Sequence, residues 1–148
     1  MSNYPKWWDT TITVYNKFQD PITNIIKWYR TVINNCFWKY TNNKVTINDT
    51  VLESNTICCR IPEDSRYLEK FKWEQIPNDS MNNYFTLGVG DILIKGDVDD
   101  EIDEYKNGKR SSDITKKYKA QQGCMIIEAM SDNSGTSRNN KHYYVSGI

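Results

Sequence analysis

The strongest structural signal in this sequence is the run of residues 84–96. It opens with four β-prone side chains and ends in an alternating stretch, in which Ile92 and Ile94 share one face. Gly88 and Gly90 lie between the two parts, and glycine allows the positive φ angles that a tight turn needs. The run therefore predicts a central β-hairpin around which the rest of the chain is organised.

Six carboxylates follow this hairpin within eight residues: Asp97, Asp99, Asp100, Glu101, Asp103 and Glu104. Like charges at this density are unfavourable in a strand, so the sheet should end at Gly96. A calcium-binding EF-hand loop beginning at Asp97 would need Gly at its sixth position and Glu at its twelfth, where this chain has Ile102 and Gly108. The run therefore does not match that motif.

We interpret residues 97–122 as a long inserted acidic and polar loop, solvated and balanced by the lysines and arginines that follow the carboxylates. An alternative gives the six carboxylates a role as a channel or interface surface, where their negative charge would repel a passing polyanion. They are therefore candidate site residues.

Other β-branched and aromatic runs, separated by Asn, Asp and Pro, predict strands along most of the chain. These strands cover residues 9–18, 25–33, 36–40, 44–47, 55–62, 123–130 and 141–147, with turns at 20–21, 34–35 and 42–43. A helix is the alternative for residues 25–33. Roughly eight short strands predict a mainly β fold, a small antiparallel barrel or sandwich, over an alternating β/α fold.

Three segments are predicted to lie outside the strands. Residues 63–83 read as a long loop with one helical turn, and residues 131–140 as an exposed hairpin loop. Residues 113–119 predict one short helix with Ser112 or Asp113 as its N-cap.

The strand assignment also predicts a core. We expect Ile92 and Ile94 to be mostly buried together with Ile12, Val14, Ile57, Ile126 and Val145. Asp91, Leu93 and Lys95 should share the opposite face of their strand, half covered by a loop or a neighbour.

The length and charge of the chain limit its class. A chain of 148 residues can build one core, and we expect a single barrel-like domain over residues 1–148 with an N-terminal arm at residues 1–8. Its 19 basic and 19 acidic residues give zero net charge, so no general field attracts nucleic acid. No segment resembles a signal peptide or a membrane span, and we expect a soluble protein made in the cytosol.

No set of residues points to catalysis, a metal or a cofactor. The four cysteines, Cys36, Cys58, Cys59 and Cys124, lack zinc-site spacing and read as small, buried hydrophobic residues. The single histidine, His142, has no nucleophile motif near it and reads as a surface or packing residue. Gly88 and Gly90 lack the third glycine of a dinucleotide-binding loop. The expected protein is not an enzyme.

Trp7 and Trp8 lie on the N-terminal arm and are candidate partner-docking residues. Two large rings at a terminus are exposed unless they pack on something. Packing on the protein's own barrel is the favoured interpretation, and docking on a partner is the alternative.

The order of these features resembles an uncharacterised family of small structural proteins from tailed phages and prophages of low-GC Gram-positive bacteria. The features are residues 10–17, 30–33 with Trp38, 57–62, 90–96, 131–133 and 142–147. More loosely, a β-rich domain with a long inserted loop and a closing hairpin is similar to head-closure, or stopper, proteins. Such proteins form rings beneath the portal and adaptor, hold packaged DNA and receive the tail.

The resemblance implies a virion protein at the phage head–tail junction with no catalytic role. Its partners would be further copies of itself in a cyclic ring of about six or twelve subunits, the portal or adaptor, the tail proteins and, without sequence specificity, the packaged DNA. Residues 97–122 would project towards the channel or an adjacent ring. One alternative is a tail-completion or terminator protein. A different class is an OB-like barrel that binds single-stranded nucleic acid through exposed aromatic rings, which would also need a basic groove.

Overall fold

Strands make up nearly half of the parts of the chain that the computed structural model describes, residues 4–133 and 141–148. They are β1 Thr10–Gln19, β2 Ile26–Ile47, β3 Thr50–Pro62, β4 Ile92–Lys95, β5 Cys124–Asp132 and β6 His142–Gly147. Every strand pairs antiparallel with its neighbours, and the order β1-β2-β3-β6-β5-β4 closes into a barrel through pairing of β4 with β1. The predicted mainly β fold is confirmed, and of the two architectures it is the barrel.

Alternating side chains fill the interior of the barrel. Ile12 and Val14 from β1, Leu93 from β4 and Val145 from β6 are all fully buried there. Of the predicted core residues outside β4, Ile57 is also buried, whereas Ile126 is only half-buried.

The two faces of β4 differ from the prediction. Ile92 and Ile94 are buried as expected, but they lie on the outside of the barrel beneath residues 97–122. Leu93, which was expected on a half-covered face, points into the barrel and is fully buried. Both faces of this strand are therefore covered, which explains why all three positions are aliphatic.

The predicted central hairpin is wrong. β4 pairs with β1 and β5, while residues 84–87 form only one bridge, between Phe85 and Tyr67. Phe85 and Leu87 instead pack into the barrel core. The side-chain amide of Asn16 replaces a strand partner, because its Nδ2 donates to the carbonyl of Thr86 at 2.6 Å and its Oδ1 accepts from the Thr86 N–H at 3.2 Å.

Asp91 fixes the turn between residues 84–87 and β4. Its buried carboxylate accepts N–H donations from Gly88 at 2.9 Å and Lys17 at 3.0 Å, and from the amide of Asn16 at 2.9 Å. Burial raises the pKa of Asp91, although these donors and Lys70 oppose the shift. The predicted turn is present, with φ of +95° at Gly90, and the buried carboxylate joins three segments of the chain at one point.

The structure has α-helices in both places where a helical turn or a helix was predicted. Residues 63–83 contain α1, Lys70–Trp73, followed by a 3₁₀ helix, Asn78–Asn83. The predicted second helix is present as α2, Ser111–Lys119, but its N-cap is Arg110. The carboxylate of Asp113 accepts the N–H of Arg110 at 3.3 Å, so Asp113 caps the helix from its first turn.

Two predicted turns in β2 are absent. The strand passes residues 34–35 with a bulge, where Asn35 has φ of +62° and the register with β1 shifts, and it continues through residues 42–43. The chain turns instead at Asn48 and Asp49, both with positive φ, as a two-residue hairpin turn requires. Of the predicted loop at 131–140, Ser131 and Asp132 belong to β5, and residues 134–140 lie outside the described residues.

Candidate functional site

The β2–β3 hairpin extends beyond the barrel as a two-stranded ribbon, residues 41–56. β1 leaves β2 at the pair Thr10–Cys36, and β6 leaves β3 at the pair Gly147–Ile57. From there to the turn, β2 and β3 pair only with each other, down to the last pair, Ile47–Thr50. The barrel therefore carries a projecting segment that no other strand supports.

The two faces of the ribbon have different chemistry. Opposed residues share a face, so the register places Val45, Ile47 and Leu52 on one side of the ribbon. Each of these three is about half exposed, at 51–52%. The other side carries the ion pair between Lys44 and Glu53, 3.5 Å apart, and one exposed apolar side chain, Val51. The ribbon is thus amphipathic, although nothing within the described chain covers its apolar face.

The same side of the ribbon continues onto the outside of the barrel, where most of its residues are polar or charged. Counting back along β2 and β3 in steps of two leads from Val45 and Leu52 to Lys39 and Arg60, and Arg60 pairs with Tyr144 of β6. The Arg60 guanidinium lies 5.0 Å from the centre of the Tyr144 ring. We call this surface, formed by the apolar side of the ribbon and the outside of β2, β3 and β6, the outer face.

The N-terminal tryptophans lie at the barrel end of the outer face. Trp8 is buried, stacked against Phe37 and edge-on to His142. Trp7 is 61% exposed and rests edge-on against the same Phe37 ring at 5.0 Å. Trp8 therefore packs on its own barrel together with His142, whereas Trp7 presents an open ring.

The acidic cap, residues 96–123, lies on the other side of the barrel. Val98, Ile102 and Ile114 are buried against Ile92 and Ile94 on the outside of β4. The expectation that this segment projects from the barrel is wrong, because its three spaced apolar side chains pack on an apolar sheet face. It is a folded layer of the domain.

Arg30 and Lys117 hold the first carboxylates of the cap. The Arg30 guanidinium pairs with Asp97 at 2.6 Å and with Asp99 at 3.3 Å, and its Nε donates to the Val98 carbonyl. Asp100 accepts from the Tyr118 hydroxyl and pairs with Lys117 at 3.3 Å. The Tyr118 hydrogen bond, more than the lysine, holds the pKa of Asp100 below its usual range.

Two further carboxylates act on the backbone of the cap. Asp103 accepts the N–H of Tyr105 at 2.9 Å, and Glu104 accepts the N–H of Ser111 at 2.6 Å. Glu101 is exposed, and the Asp99 side chain is 99% accessible although it touches Arg30. Asp99, Asp100, Glu101 and Asp103 line one cavity, whereas Asp97 and Glu104 do not. Asp99 and Glu101 are the exposed members of this group, and the other candidate carboxylates mainly hold the cap together.

The cysteines lie where strand alternation places them. Cys59 is buried inside the barrel, while its neighbour Cys58 faces outwards and accepts from the Tyr144 hydroxyl at 2.9 Å. Burial raises the pKa of the Cys59 thiol and raises that of Cys124 to about 11, so both stay protonated at neutral pH. Within residues 4–133 and 141–148, no three His, Cys, Asp or Glu side chains are grouped to hold a metal ion.

The ribbon is not among the sequence predictions, because these place a turn at residues 42–43. The signal was present in the pair Asn48–Asp49, which suits a two-residue hairpin turn and is flanked by the alternating residues Val45, Ile47 and Val51.

The described chain has no helix of the length and apolarity needed to cross a membrane.

Comparison with known proteins assigns a family and no activity. A family model described as "Family of unknown function (DUF6751)" matches residues 7–148, which includes the barrel, the ribbon and the cap. No curated protein and no solved structure matches the chain. Its function must therefore be argued from its own surfaces.

Proposed function

The chain belongs to DUF6751, a family of unknown function, and we propose that it is a structural protein of the head–tail connector of a tailed phage. In this proposal, copies form a head-closure-like ring that joins the portal or adaptor to the tail and retains the packaged DNA. The chain acts by assembly and has no catalytic role.

The ribbon is the observation that carries this proposal. Because β4 pairs with β1, the barrel closes, and the open strand edges of the described β2 and β3 lie along the ribbon. A projecting ribbon with apolar side chains on one face gives such a closed domain another way to reach a neighbour.

The contacts of the acidic cap support a role in assembly for fewer of its carboxylates than the sequence suggested. Arg30 and Lys117 offset part of its negative charge. In our proposal only Asp99 and Glu101 are placed to face DNA or an adjacent subunit. Neutralising Asp100 or Asp103 would weaken the cap itself, and its effect on phage would be indirect.

Single-stranded nucleic-acid binding is the second candidate, favoured by one observation. The outer face brings Trp7, Phe37 and Arg60 to the surface of β2 and β3, and exposed rings beside cations can stack bases. A salt titration separates the two functions, because a nucleic-acid binder loses affinity steeply as salt rises. We expect weak binding with a flat salt dependence.

A tail-completion or terminator protein, at the neighbouring joint, would use the same surfaces.

Particles from a prophage that encodes this chain test the proposal. One variant replaces residues 42–55 with a two-residue turn, and a matched control carries Lys44→Ala with Glu53→Ala, which removes the ion pair but keeps the apolar face. We expect the first variant to give heads that lose DNA and lack tails, with a loss of infectivity of at least about a hundredfold, while the control stays infectious. Infectious particles that lack the protein altogether would reject the connector role.

A further inference from the structure

We propose that the outer face of one copy docks on the acidic cap of the next copy, in a repeating head-to-tail contact. The inference rests on the proposed function only in taking the ring as the final assembly. Its own basis is the position, polarity and charge of two surfaces of the isolated chain.

The strand order sets the geometry of the contact. In the closed order β1-β2-β3-β6-β5-β4, β3 lies across the barrel from β4. The outer face is centred on β3, and the cap lies on the outside of β4. Two different surfaces on opposite sides of a domain produce a heterologous contact, which closes into a ring when the rotation between copies allows it.

The two surfaces are complementary in charge. On the part of the outer face that lies within the barrel, the paired positions 37–60 and 39–58 carry Lys39 and Arg60 and no carboxylate. On the cap, Asp99, Asp100, Glu101 and Asp103 line one cavity, and the exposed cations of the cap come later in the segment, between Lys106 and Lys119. A second copy therefore offers the charges that the outer face lacks, whereas two outer faces brought together would repel each other.

The apolar residues at the two ends of the outer face set the length of the contact. Trp7 and Phe37 mark one end of the outer face and Ile47 the other, so it runs about 33 Å along ten residues of strand. At two to three strands wide it covers roughly 450 Å² in projection, which is less than the about 800 Å² per partner of a standard interface. A single contact is therefore weak, and a closed ring of such contacts is more stable than an open pair.

The ribbon supplies its own control. Leu52 lies on the outer face, and its neighbour Val51 lies on the opposite side of the ribbon with similar exposure, 59% against 51%. Sedimentation velocity of the purified full chain up to millimolar concentration measures self-association. We expect Leu52→Asp to weaken it at least about tenfold and Val51→Asp to change it less than about twofold. Thermal unfolding of both variants checks that they are folded, and Leu52→Ser is the milder replacement if Leu52→Asp is not.

Charge reversal then identifies the partner surface. The pair Lys39→Glu with Arg60→Glu, and separately the pair Asp99→Lys with Glu101→Lys, should each abolish self-association at low salt. Mixing the two variants should restore it, because each reversed surface then meets a reversed partner, and the remaining contacts are native.

Three results overturn the proposal: a wild-type chain that stays monomeric at millimolar concentration, equal effects of Leu52→Asp and Val51→Asp, or charge-reversed variants that do not recover on mixing. None of them depends on phage particles. The connector role can therefore fail while this contact stands, and the contact can fail while particles still require the chain.

Discussion

The acidic cap and the ribbon are two long excursions from the barrel, and each behaves differently from what its composition suggests. The cap has six carboxylates in eight residues, yet Val98 and Ile102 are more than nine-tenths buried. The ribbon has three aliphatic residues on one face, all about half exposed. Such a segment packs on the barrel when a few spaced apolar side chains meet an apolar sheet face. The net charge of the segment does not decide whether it packs there.

The largest expected effect comes from the boundary between the cap and the barrel. Ile92→Ala removes a buried side chain that the cap covers and should lower the free energy of unfolding by about 2–5 kcal/mol through cavity formation. Urea denaturation measures the loss. Ile22→Ala is the matched control, because Ile22 is 89% exposed and should change stability by less than about 0.5 kcal/mol. A similar small change for Ile92→Ala would mean that the cap does not pack on the barrel.

The sequence was sufficient for the fold class and for most strands, because alternation of apolar residues is a local signal. β1, β3, β5 and β6 lie close to their predicted positions. The prediction of a hairpin at 84–96 was wrong because of a contact between residues far apart in sequence. Asn16 supplies the hydrogen bonds that a neighbouring strand would have made. No local pattern could reveal that.

The candidate site was predicted less well than the fold. The carboxylates were identified, but their partners Arg30 and Tyr118 come from a distant strand and from α2, and pairings of this kind depend on tertiary structure. Trp7 and Trp8 were treated as equivalent, yet one is exposed and the other buried. Their difference arises because Trp8 alone stacks between Tyr4 and Phe37.

A smaller effect is expected from the polar contacts within the cap. Asp100→Asn removes the charge that Lys117 pairs with and weakens the hydrogen bond from Tyr118. Lys117 is largely exposed, so the loss at neutral pH should stay below about 1 kcal/mol. Glu101→Gln, at an exposed neighbouring position, is the control and should have no measurable effect.

The pH dependence of this loss has a definite sign. The pKa of Asp100 is lower in the folded chain than its usual value, so its ionised form stabilises the fold above the unfolded pKa of about 3.9. That contribution is lost as pH falls through the folded pKa. The difference in unfolding free energy between wild type and Asp100→Asn should therefore shrink as pH falls from 5 towards 2. A difference that grows on acidification would contradict the assigned hydrogen bond.

The smallest effect on the isolated chain is expected in the ribbon. Leu52→Ala should change the free energy of unfolding by less than about 0.5 kcal/mol, because Leu52 is half exposed on a segment that only two strands form.

Two-stranded ribbons are marginally stable in water, so the amides of residues 42–47 and 50–55 should exchange with solvent at least about a hundredfold faster than those of β1. Hydrogen exchange followed by mass spectrometry makes the comparison at low and at high protein concentration. We expect the ribbon amides to be protected only at high protein concentration, and this protection to be lost in Leu52→Ala. That result would show that another copy covers the ribbon, just as the barrel of the same chain covers the apolar residues of the cap. A loss in Leu52→Ala as large as that in Ile92→Ala would mean that the ribbon already packs within one chain, and the contrast between the two excursions would not hold.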